Sequence, residues 1–453
     1  MVSIPAGDRG LLSRLAGGLA WNLVGTGFNQ GSTFVVNVLL AHLWGLQLFG
    51  EYAIVYTTLL AASAVAQLSM GYTATKYLAE TRISDPARAG RVLALTGSFA
   101  LAAAIGAAVL LLLGAPWIAG SILARPALVP AIRIAALAVA FSVVVGFEIG
   151  ALAGLEAFRR LAMSGIATGF FFVAACGLGA FWAGLNGALW GLAAAGCFQL
   201  LLLLWQLARE MSRQGIRLTP RGAKSEFGLI ARFSLPASIG GVISMTAFWL
   251  ANAVLARQPA GYEAMALFAA ANNFRLVVLF LPVIVNPVGM SLLNAHRGAQ
   301  DESRYRQVFW LNLGLTLALV LLAVAVVLLL GPWLLGIFGK GYVAGYPILS
   351  VLMVAALAEA GVVAIYQLVQ SQARIWLSLF AVVLPRDLTI LGLSYALSPR
   401  LGAVGLAAAY AAGWCLALAA VIVLVRRHGL RLSPSTEPTR SVISDGRGEL
   451  GTL

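Results

Sequence analysis

Apolar residues dominate this sequence in long runs, which short polar segments separate. A bilayer core of about 30 Å needs about 20 helical residues to cross it. Twelve runs of that length are predicted to be transmembrane helices, near residues 15–42, 47–74, 89–113, 129–154, 161–183, 186–208, 228–256, 262–295, 305–330, 344–371, 375–397 and 402–425. The pattern therefore predicts an all-α polytopic membrane protein.

The positions of Lys and Arg predict the orientation of these helices. With the N-terminus in the cytoplasm, the cytoplasmic segments hold 23 of the 30 Lys and Arg, and the external segments hold 5. Such an excess is typical of short cytoplasmic loops. We therefore predict a cytoplasmic N-terminus at 1–14, a basic cytoplasmic linker at 209–227 that lies against anionic lipid headgroups, and a disordered cytoplasmic tail at 426–453.

The chain also repeats itself. Leu113–Trp117 (LGAPW) returns as Leu330–Trp333 (LGPW), and Gly187–Ala195 (GALWGLAAA) returns as Gly402–Ala409 (GAVGLAAA), in both cases about 215 residues later. This offset predicts two six-helix lobes, 15–208 and 228–425, in the same orientation. Parallel repeats of this kind place a substrate site between the two copies.

Composition excludes several classes of function. The chain is 61% hydrophobic and 10% charged, whereas soluble domains carry about 25% charged residues. The net charge of +14 does not predict nucleic-acid binding, because the charges lie in the short segments between apolar runs. The three cysteines lack a CxxC pair and the three histidines are far apart, so no metal site is predicted.

Without a phosphate loop or another catalytic motif, we predict no cofactor and no enzyme activity. No cleavable signal peptide is predicted either, so the first helix should serve as the membrane address.

The eighth predicted helix carries a charge deep inside its apolar run. At about 100° per residue, Asn272, Arg275, Pro282 and Asn286 share one face. A charge at mid-membrane costs roughly 2.5 kcal/mol or more, unless it faces a bundle interior or a water-filled cavity. This helix is therefore expected to line a wet cavity, and its fixed cation suggests an anionic passenger.

Two further helices carry polar stripes. In the first helix the stripe lies within about 80° on a helical wheel and consists of Asn22, Thr26, Asn29, Thr33 and Asn37. In the seventh helix, its counterpart under the repeat, Ser234, Ser238, Gly241 and Asn252 share a face. These side chains could hydrogen-bond neighbouring helices or line a cavity, and their occurrence at equivalent positions favours the cavity.

Three acids lie within apolar runs: Glu148, Glu359 and Asp387. Glu148 and Glu359 occupy helices that are equivalent under the repeat, and either could couple proton movement to transport. Alternatively, each pairs with a basic residue and locks helices together, Arg133 and Arg386 being the candidates. Because Arg386 and Asp387 are adjacent, they should point about 100° apart and cannot both face the same partner, so local neutralisation or binding to other helices is expected.

Several short motifs carry a resemblance to a known family, and their order and spacing matter more than any single one. They are Leu48–Ala53 (LFGEYA), Met70–Glu80 (MGYTATKYLAE), Phe233–Pro236 (FSLP), Ala271–Arg275 (ANNFR), Phe280–Pro282 (FLP) and Phe338–Tyr342 (FGKGY). Over residues 15–425 the chain resembles the polysaccharide-transport branch of the multidrug/oligosaccharidyl-lipid/polysaccharide flippase superfamily, the O-antigen and exopolysaccharide repeat-unit flippases. It departs from them at Asn252, where many relatives have an acid, and this weakens the case for cation coupling there.

The resemblance implies two six-helix lobes around a central cavity. It also implies a substrate, undecaprenyl-diphosphate-linked oligosaccharide, which moves from the cytoplasmic to the periplasmic leaflet of the bacterial inner membrane during lipopolysaccharide O-antigen or exopolysaccharide synthesis. The diphosphate would be held by Arg275 with Lys76 or Arg133, and the sugar hydroxyls by the polar stripes. The expected partners are this lipid, the membrane lipids and other polysaccharide-assembly proteins, with no nucleic acid.

Three alternatives remain. A drug/cation antiporter of the same fold should have an acidic cavity, and Arg275 argues against it. A membrane polymerase or ligase needs a sizeable external catalytic loop, and the chain has none. A structural partner in an envelope complex would be excluded only by a transport assay.

Overall fold

Every regular element that the computed structural model describes is a helix; it describes residues 6–222, 226–229, 234–298, 302–371 and 375–427. Two π-helical turns at Ile118–Ile122 and Leu379–Val383, and two 3₁₀ turns at Pro126–Leu128 and Lys340–Gly345, interrupt or connect the α-helices. The α-helices are α1 Ala6–Gln67, α2 Met70–Thr81, α3 Pro86–Trp117, α4 Val129–Gly154, α5 Phe158–Arg213, α6 Phe227–Leu229, α7 Leu235–Ala256, α8 Gly261–Gly298, α9 Glu302–Leu329, α10 Gly331–Gly336, α11 Tyr346–Ser371, α12 Ile375–Ser378 and α13 Leu384–Arg427.

Helices α5 and α13 are helical hairpins that reverse at a glycine. Gly184 has φ 55° and ψ −137°, and Gly402 has φ 55° and ψ −133°, a conformation that only glycine adopts readily. After each reversal a second glycine packs on the backbone of the first arm, Gly187 on Gly179 and Gly405 on Leu397. The two turns of like geometry are 218 residues apart, whereas the similar letters in the sequence pair Gly187 with Gly402.

Helix α1 is a third hairpin. It reverses at Gly45, which has φ 70° and ψ −164°. The rings of Trp44 and Tyr52 lie 6.1 Å apart, although eight residues of straight helix would separate them by about 12 Å. The predicted run 47–74 is wrong at its far end, because Leu68 and Ser69 have positive φ and a new helix, α2, begins after them.

The helices traverse the bundle between two ends, which we call the Gly45 end and the linker end. The Gly45 end carries the three glycine turns and the connections 118–128, 257–260 and 330–345, and the linker end carries residues 214–222. Within the described residues, nine segments are long and apolar enough to cross a membrane, and three of these contain the hairpins. The protein is thus a multi-pass membrane protein, with large apolar side chains such as Phe181 and Trp182 on its outer surface.

The largest buried cluster joins both halves of the chain. It packs α1, α4 and α5 of the first half with α8, α11 and α13 of the second. Phe49 and Tyr52 of α1 and Phe338 of the second half are among its largest fully buried side chains. This shared core brings the polar stripe of α1 against α8, which carries Arg275.

Candidate functional site

Arg275 is the centre of a buried polar cluster in the second half of the chain. It lies on α8, about 20 Å along the helix from the Gly45 end, and only 8% of its surface is exposed. Its Nε donates to Asn272 Oδ1 at 2.8 Å, one turn earlier. Its Nη1 donates to Glu359 of α11, with which it forms an ion pair. The cation that the sequence predicted therefore has an internal counter-charge.

Aromatic rings form one wall of this cluster. The Arg275 guanidinium lies 5.7 Å from the centre of the Tyr410 ring, a distance at which a cation is attracted to the ring face. Tyr410 of α13 is buried and stacks on Phe248 of α7 at 5.3 Å. The site is thus formed by α7, α8, α11 and α13.

Asn252 lies on α7, four residues after Phe248, and is buried. Its Nδ2 donates to the Phe248 carbonyl at 2.8 Å. Its Oδ1 is buried and has no hydrogen-bond partner in the described part of the chain. Because an unpaired buried amide oxygen is unfavourable, this oxygen is available to a donor such as a hydroxyl.

The first-helix stripe contacts this cluster at one position. Asn37 Nδ2 donates to Asn273 Oδ1 of α8 at 3.0 Å, and Asn273 is the neighbour of Asn272. A second hydrogen bond between the halves runs from Trp249 Nε1 to Thr58 Oγ1 at 2.9 Å. Asn37 is thus a contact between the two halves next to the Arg275 cluster.

The other predicted stripe residues are placed differently. Asn29 is exposed, and its carbonyl accepts from Thr33 Oγ1 at 3.1 Å. Ser234, the residue before α7, is buried, and its Oγ lies 2.5 Å from Thr73 Oγ1 of α2. The side chains of Asn22 and Asn286 lie outside the described residues.

Lys76 and Arg133 lie at opposite ends of the bundle. Lys76 is an exposed residue of α2, where its ammonium lies 5.1 Å from the Tyr77 ring. Arg133 is exposed near the start of α4, and the end of α4 at Gly154 packs on α2 at Thr75. About 21 residues of helix, roughly 30 Å, separate their levels. The structure does not bring these two cations together.

Glu148 lies in the interior of the first half. It is 0% exposed, and neither of its carboxylate oxygens has a hydrogen-bond partner in the described part of the chain. The predicted alternative of a pair with Arg133 is wrong, because both lie on α4 and 15 residues of helix separate them by roughly 22 Å. The corresponding pair of Glu359 with Arg386 is also wrong, since Glu359 pairs with Arg275.

Arg386 and Asp387 form a second buried charge pair. Arg386 Nε donates to Asp387 Oδ1 at 2.7 Å. Both bond the same hydroxyl: Ser244 Oγ accepts from Arg386 Nη2 at 2.6 Å and donates to Asp387 Oδ2 at 2.7 Å. The expected local neutralisation is confirmed by this pair. The prediction that the two cannot share a partner was wrong, because the long arginine side chain bends back along its own helix. The guanidinium also lies 4.4 Å from the Trp414 ring, so this cluster is locked between α7 and α13.

We expect Ser244→Ala to destabilise the protein by about 1–3 kcal/mol, because it removes a hydroxyl that serves both members of a buried charge pair. The free energy of unfolding, measured by SDS titration in detergent micelles, checks this. Ser350→Ala is the matched control, since among the residues that the structure describes Ser350 Oγ bonds only the Tyr346 carbonyl, one turn away on α11. An equal stability of the two variants would contradict the prediction.

The two halves are sealed together at the Gly45 end. Tyr262, at the start of α8, donates to the Leu123 carbonyl at 2.8 Å. The guanidinium of Arg125 lies 5.7 Å from the Tyr262 ring and bonds Glu51 Oε1 at 2.7 Å. The closest approach is at Gly50 of α1, where a Cβ would lie 1.7 Å from the Tyr262 carbonyl oxygen. Backbone therefore meets backbone across this seam.

An aromatic cluster lies between this seam and Arg275. Phe34 and Phe49 of α1 contact Phe274, Phe338 and Tyr342 of the second half, with ring centres 5.6 Å apart for Phe34–Phe274 and 5.9 Å apart for Phe49–Tyr342. Phe274 is the neighbour of Arg275. The charge cluster is thus separated from the Gly45 end by packed rings.

The linker end joins the halves through polar contacts. Glu226 forms an ion pair with Arg88 of α3 at 3.1 Å. The backbone of Arg217 packs on Gly90, where a Cβ would lie 2.0 Å from its carbonyl oxygen. The described part of the linker thus packs on α3.

Sequence reasoning missed Tyr410, Thr73 and the Arg275–Glu359 pairing. A helical wheel gives the direction of a side chain on its own helix but not the helix that it meets. Tyr410 lies in the small-residue run Leu406–Ala412. The sequence did contain a signal for Tyr410, which is the one large polar aromatic among alanines. Runs of small residues let helices approach closely, so a tyrosine within one is expected to meet a neighbouring helix.

The long apolar helices and the buried charge cluster define a multi-pass helical membrane protein. Its fold is similar to an inward-facing multidrug resistance MATE family transporter of the MOP superfamily, with 15% identity, a TM-score of 0.71 and coverage of 90% of this chain and 98% of that chain. It is also similar to a MOP superfamily transporter from Pyrococcus furiosus Vc1 (DSM3638), whose reversed binding-pocket polarity is said to suggest a different function, with 16% identity, a TM-score of 0.69 and coverage of 90% and 94%. These structural relatives are transporters and not enzymes.

The sequence identifies the family. Residues 15–293, more than half of the chain, match the family described as polysaccharide biosynthesis protein. The chain therefore belongs to this family, which confirms the resemblance inferred from its motifs. No curated protein matches the sequence.

Proposed function

We propose that this protein is a flippase that moves undecaprenyl-diphosphate-linked oligosaccharide repeat units across the bacterial inner membrane, for O-antigen or exopolysaccharide synthesis. Membership of the polysaccharide biosynthesis family and the MOP transporter fold support a transported saccharide. The observation that carries the proposal is the buried Arg275 guanidinium at mid-helix depth, next to the contact between the halves. A fixed cation at this depth suits a phosphate group.

The proposed architecture has twelve membrane passes in two six-helix lobes, 15–208 and 228–425. Counting each of the hairpins α1, α5 and α13 as two passes supports this number. The two turns at Gly184 and Gly402, which share one backbone geometry, support an internal repeat. The Lys and Arg bias supports a cytoplasmic linker end, cytoplasmic termini and a periplasmic Gly45 end.

The polar residues have separate roles in this proposal. Arg275 binds the diphosphate and Asn252 offers its unpaired oxygen to sugar hydroxyls, as do Asn29 and Thr33. Lys76, at the linker end, attracts the headgroup on entry, and Arg133, at the Gly45 end, meets it on release. Asn37 joins the halves and has to part from Asn273 when they rock against each other.

An apolar groove supports a lipid tail. It has a volume of about 510 Å³ and lies between α1, α3 and α7, so that both halves contribute to its walls. Small residues such as Ala62 and Gly106 line it, with Thr58 and Trp249 at the hydrogen bond between the halves. A polyprenyl chain could occupy this groove while its headgroup reaches Arg275 between the lobes.

A drug/cation antiporter is the second candidate function. Glu148 favours it, because a buried carboxylate that has no hydrogen-bond partner among the described residues is suited to a proton or a cation. The similarity to multidrug transporters supports it through the fold alone. The two candidates differ in the sign of the charge that their passenger needs, and Arg275 favours an anion.

The test is complementation in a bacterial strain that lacks its own repeat-unit flippase, beside a drug-sensitive strain that lacks its efflux pumps. We expect the protein to restore surface polysaccharide in the first strain and to leave drug sensitivity unchanged in the second. Both strains are compared at matched amounts of inserted protein. Drug resistance without complementation for several different repeat units would favour the antiporter.

A further inference from the structure

The Glu359 carboxylate is bound to the Arg275 guanidinium, and the proposed function assigns the substrate phosphate to this same guanidinium. Its carboxylate bonds Arg275 and no other hydrogen-bond donor in the described part of the chain. The side chains of the pair are 9% and 16% exposed, with Glu359 the more accessible. A phosphate that approaches Arg275 therefore meets a site that already holds an anion.

The second charge pair shows what a permanent pair looks like in the same half. Asp387 has two donors, Arg386 and Ser244, and its side chain is 1% exposed. Arg386 is held in addition by the Trp414 ring. The residues described around the Arg275–Glu359 pair provide no such bridging hydroxyl. Of the two carboxylates, Glu359 is therefore the one that can leave its arginine at the lower cost.

Guanidinium groups bind carboxylate and phosphate oxygens with the same planar set of donors. Separating a buried ion pair leaves both charges unpaired unless another ion takes one of the places. A neutral headgroup can take neither place, whereas a phosphate can take the place of Glu359 at Arg275. The pair therefore opposes a neutral headgroup, and Arg275 is the member that a phosphate engages.

We infer that Glu359 is an exchangeable counter-anion, which holds Arg275 in the empty carrier and is displaced there by the phosphate of the lipid substrate. This inference rests on the proposed function and names Glu359 as the residue that sets its specificity. The empty carrier keeps Arg275 paired, so that it can return without an uncompensated charge at mid-membrane. The loaded carrier pairs Arg275 with the substrate.

The experiment measures binding of undecaprenyl diphosphate to the purified full chain in detergent by microscale thermophoresis, with uncharged undecaprenol as the comparison lipid. We expect wild type to prefer the diphosphate. We expect Glu359→Gln to bind the diphosphate about tenfold more tightly than wild type does. This factor corresponds to a wild type in which Glu359 leaves Arg275 free in about one tenth of the molecules. In proteoliposomes the same variant should flip a fluorescent lipid diphosphate more slowly, because the empty carrier returns with an unpaired Arg275.

Two variants serve as controls. Glu210→Gln removes an acid from a distant ion pair, the one with Arg160 of the first half, and should leave the affinity for the diphosphate unchanged. Glu359→Asp keeps the charge on a shorter side chain, which loosens the pair, and should bind with intermediate affinity. It also provides a measurement if Glu359→Gln does not fold.

The outcomes separate the inference from the proposed function. If wild type prefers the diphosphate but neither Glu359 variant binds it more tightly, Glu359 does not compete with phosphate for Arg275. The inference about Glu359 then fails, while the proposed function stands. If wild type binds undecaprenol as well as undecaprenyl diphosphate, the phosphate site is absent and the proposed function fails with it. Tighter binding together with slower flipping would support both.

Discussion

Arg275→Ala is expected to abolish transport of the lipid-linked repeat unit. The substitution removes the buried cation that the proposed headgroup site depends on, together with the bonds to Asn272 and Glu359. Hydrogen bonds between charged groups contribute about 1.5–3 kcal/mol each, so transport should fall by at least about tenfold. Surface polysaccharide in the complemented strain, normalised to the amount of inserted protein, measures it.

Stability has to be separated from function in this experiment. Arg275→Ala leaves Glu359 buried without its partner, which costs about 3–5 kcal/mol and could lower the amount of protein. The double variant Arg275→Ala/Glu359→Gln removes both charges and should recover stability without recovering transport. Wild-type transport by a well-inserted double variant would make Arg275 a structural residue and end its role as an anion site.

The sequence predicted a helix well where the length of its apolar run alone sets the ends of the helix. Run 129–154 coincides with α4, and run 344–371 differs from α11 by two residues at its start. The break at Leu68–Ser69 was not predicted because neither residue is glycine or proline, the usual signals of a helix end. The positive φ values of Leu68 and Ser69 result from the packing of α2 on α4, where Gly71 and Gly150 bring the two backbones together.

The candidate site was predicted in part. Arg275 and Asn272 were expected on one face of α8 and they hydrogen-bond each other, since positions three apart share a helix face. The counter-charge from Glu359 was not predicted, because it comes from a helix 84 residues away along the chain. Helical periodicity fixes angles on one helix, and only tertiary packing decides which faces meet.

The proposed internal repeat shows the same limit at finer scale. Similar letters aligned Gly187 with Gly402, yet the two turns of like geometry lie at Gly184 and Gly402. In runs rich in alanine, leucine and glycine, several registers give nearly equal numbers of matches. The requirement for glycine at a positive φ favours the register that aligns the two turns, and that requirement is visible only in the backbone.

Gly50→Ala is expected to prevent closure of the Gly45 end and to stop transport. A Cβ at this position would lie 1.7 Å from the Tyr262 carbonyl oxygen, a backbone atom that cannot turn aside as the end of a side chain could. Helix α1 and the start of α8 therefore have to separate, which opens the seam that Tyr262 forms with Leu123. Alternating access requires each side to close in turn, so a carrier that cannot close here cannot complete its cycle.

Double electron–electron resonance checks this with spin labels on Ala127→Cys and Glu263→Cys, two exposed positions on either side of the seam, in a protein whose three native free cysteines are replaced by alanine. Gly50→Ala should shift the distribution to longer distances, whereas Gly31→Ala should not, because a Cβ at Gly31 of the same helix has no atom within 4 Å. A variant with wild-type distances and no transport would show that Gly50 acts by another route. Full transport with a widened seam would show that the carrier works without closure of the Gly45 end, and this prediction would then be wrong.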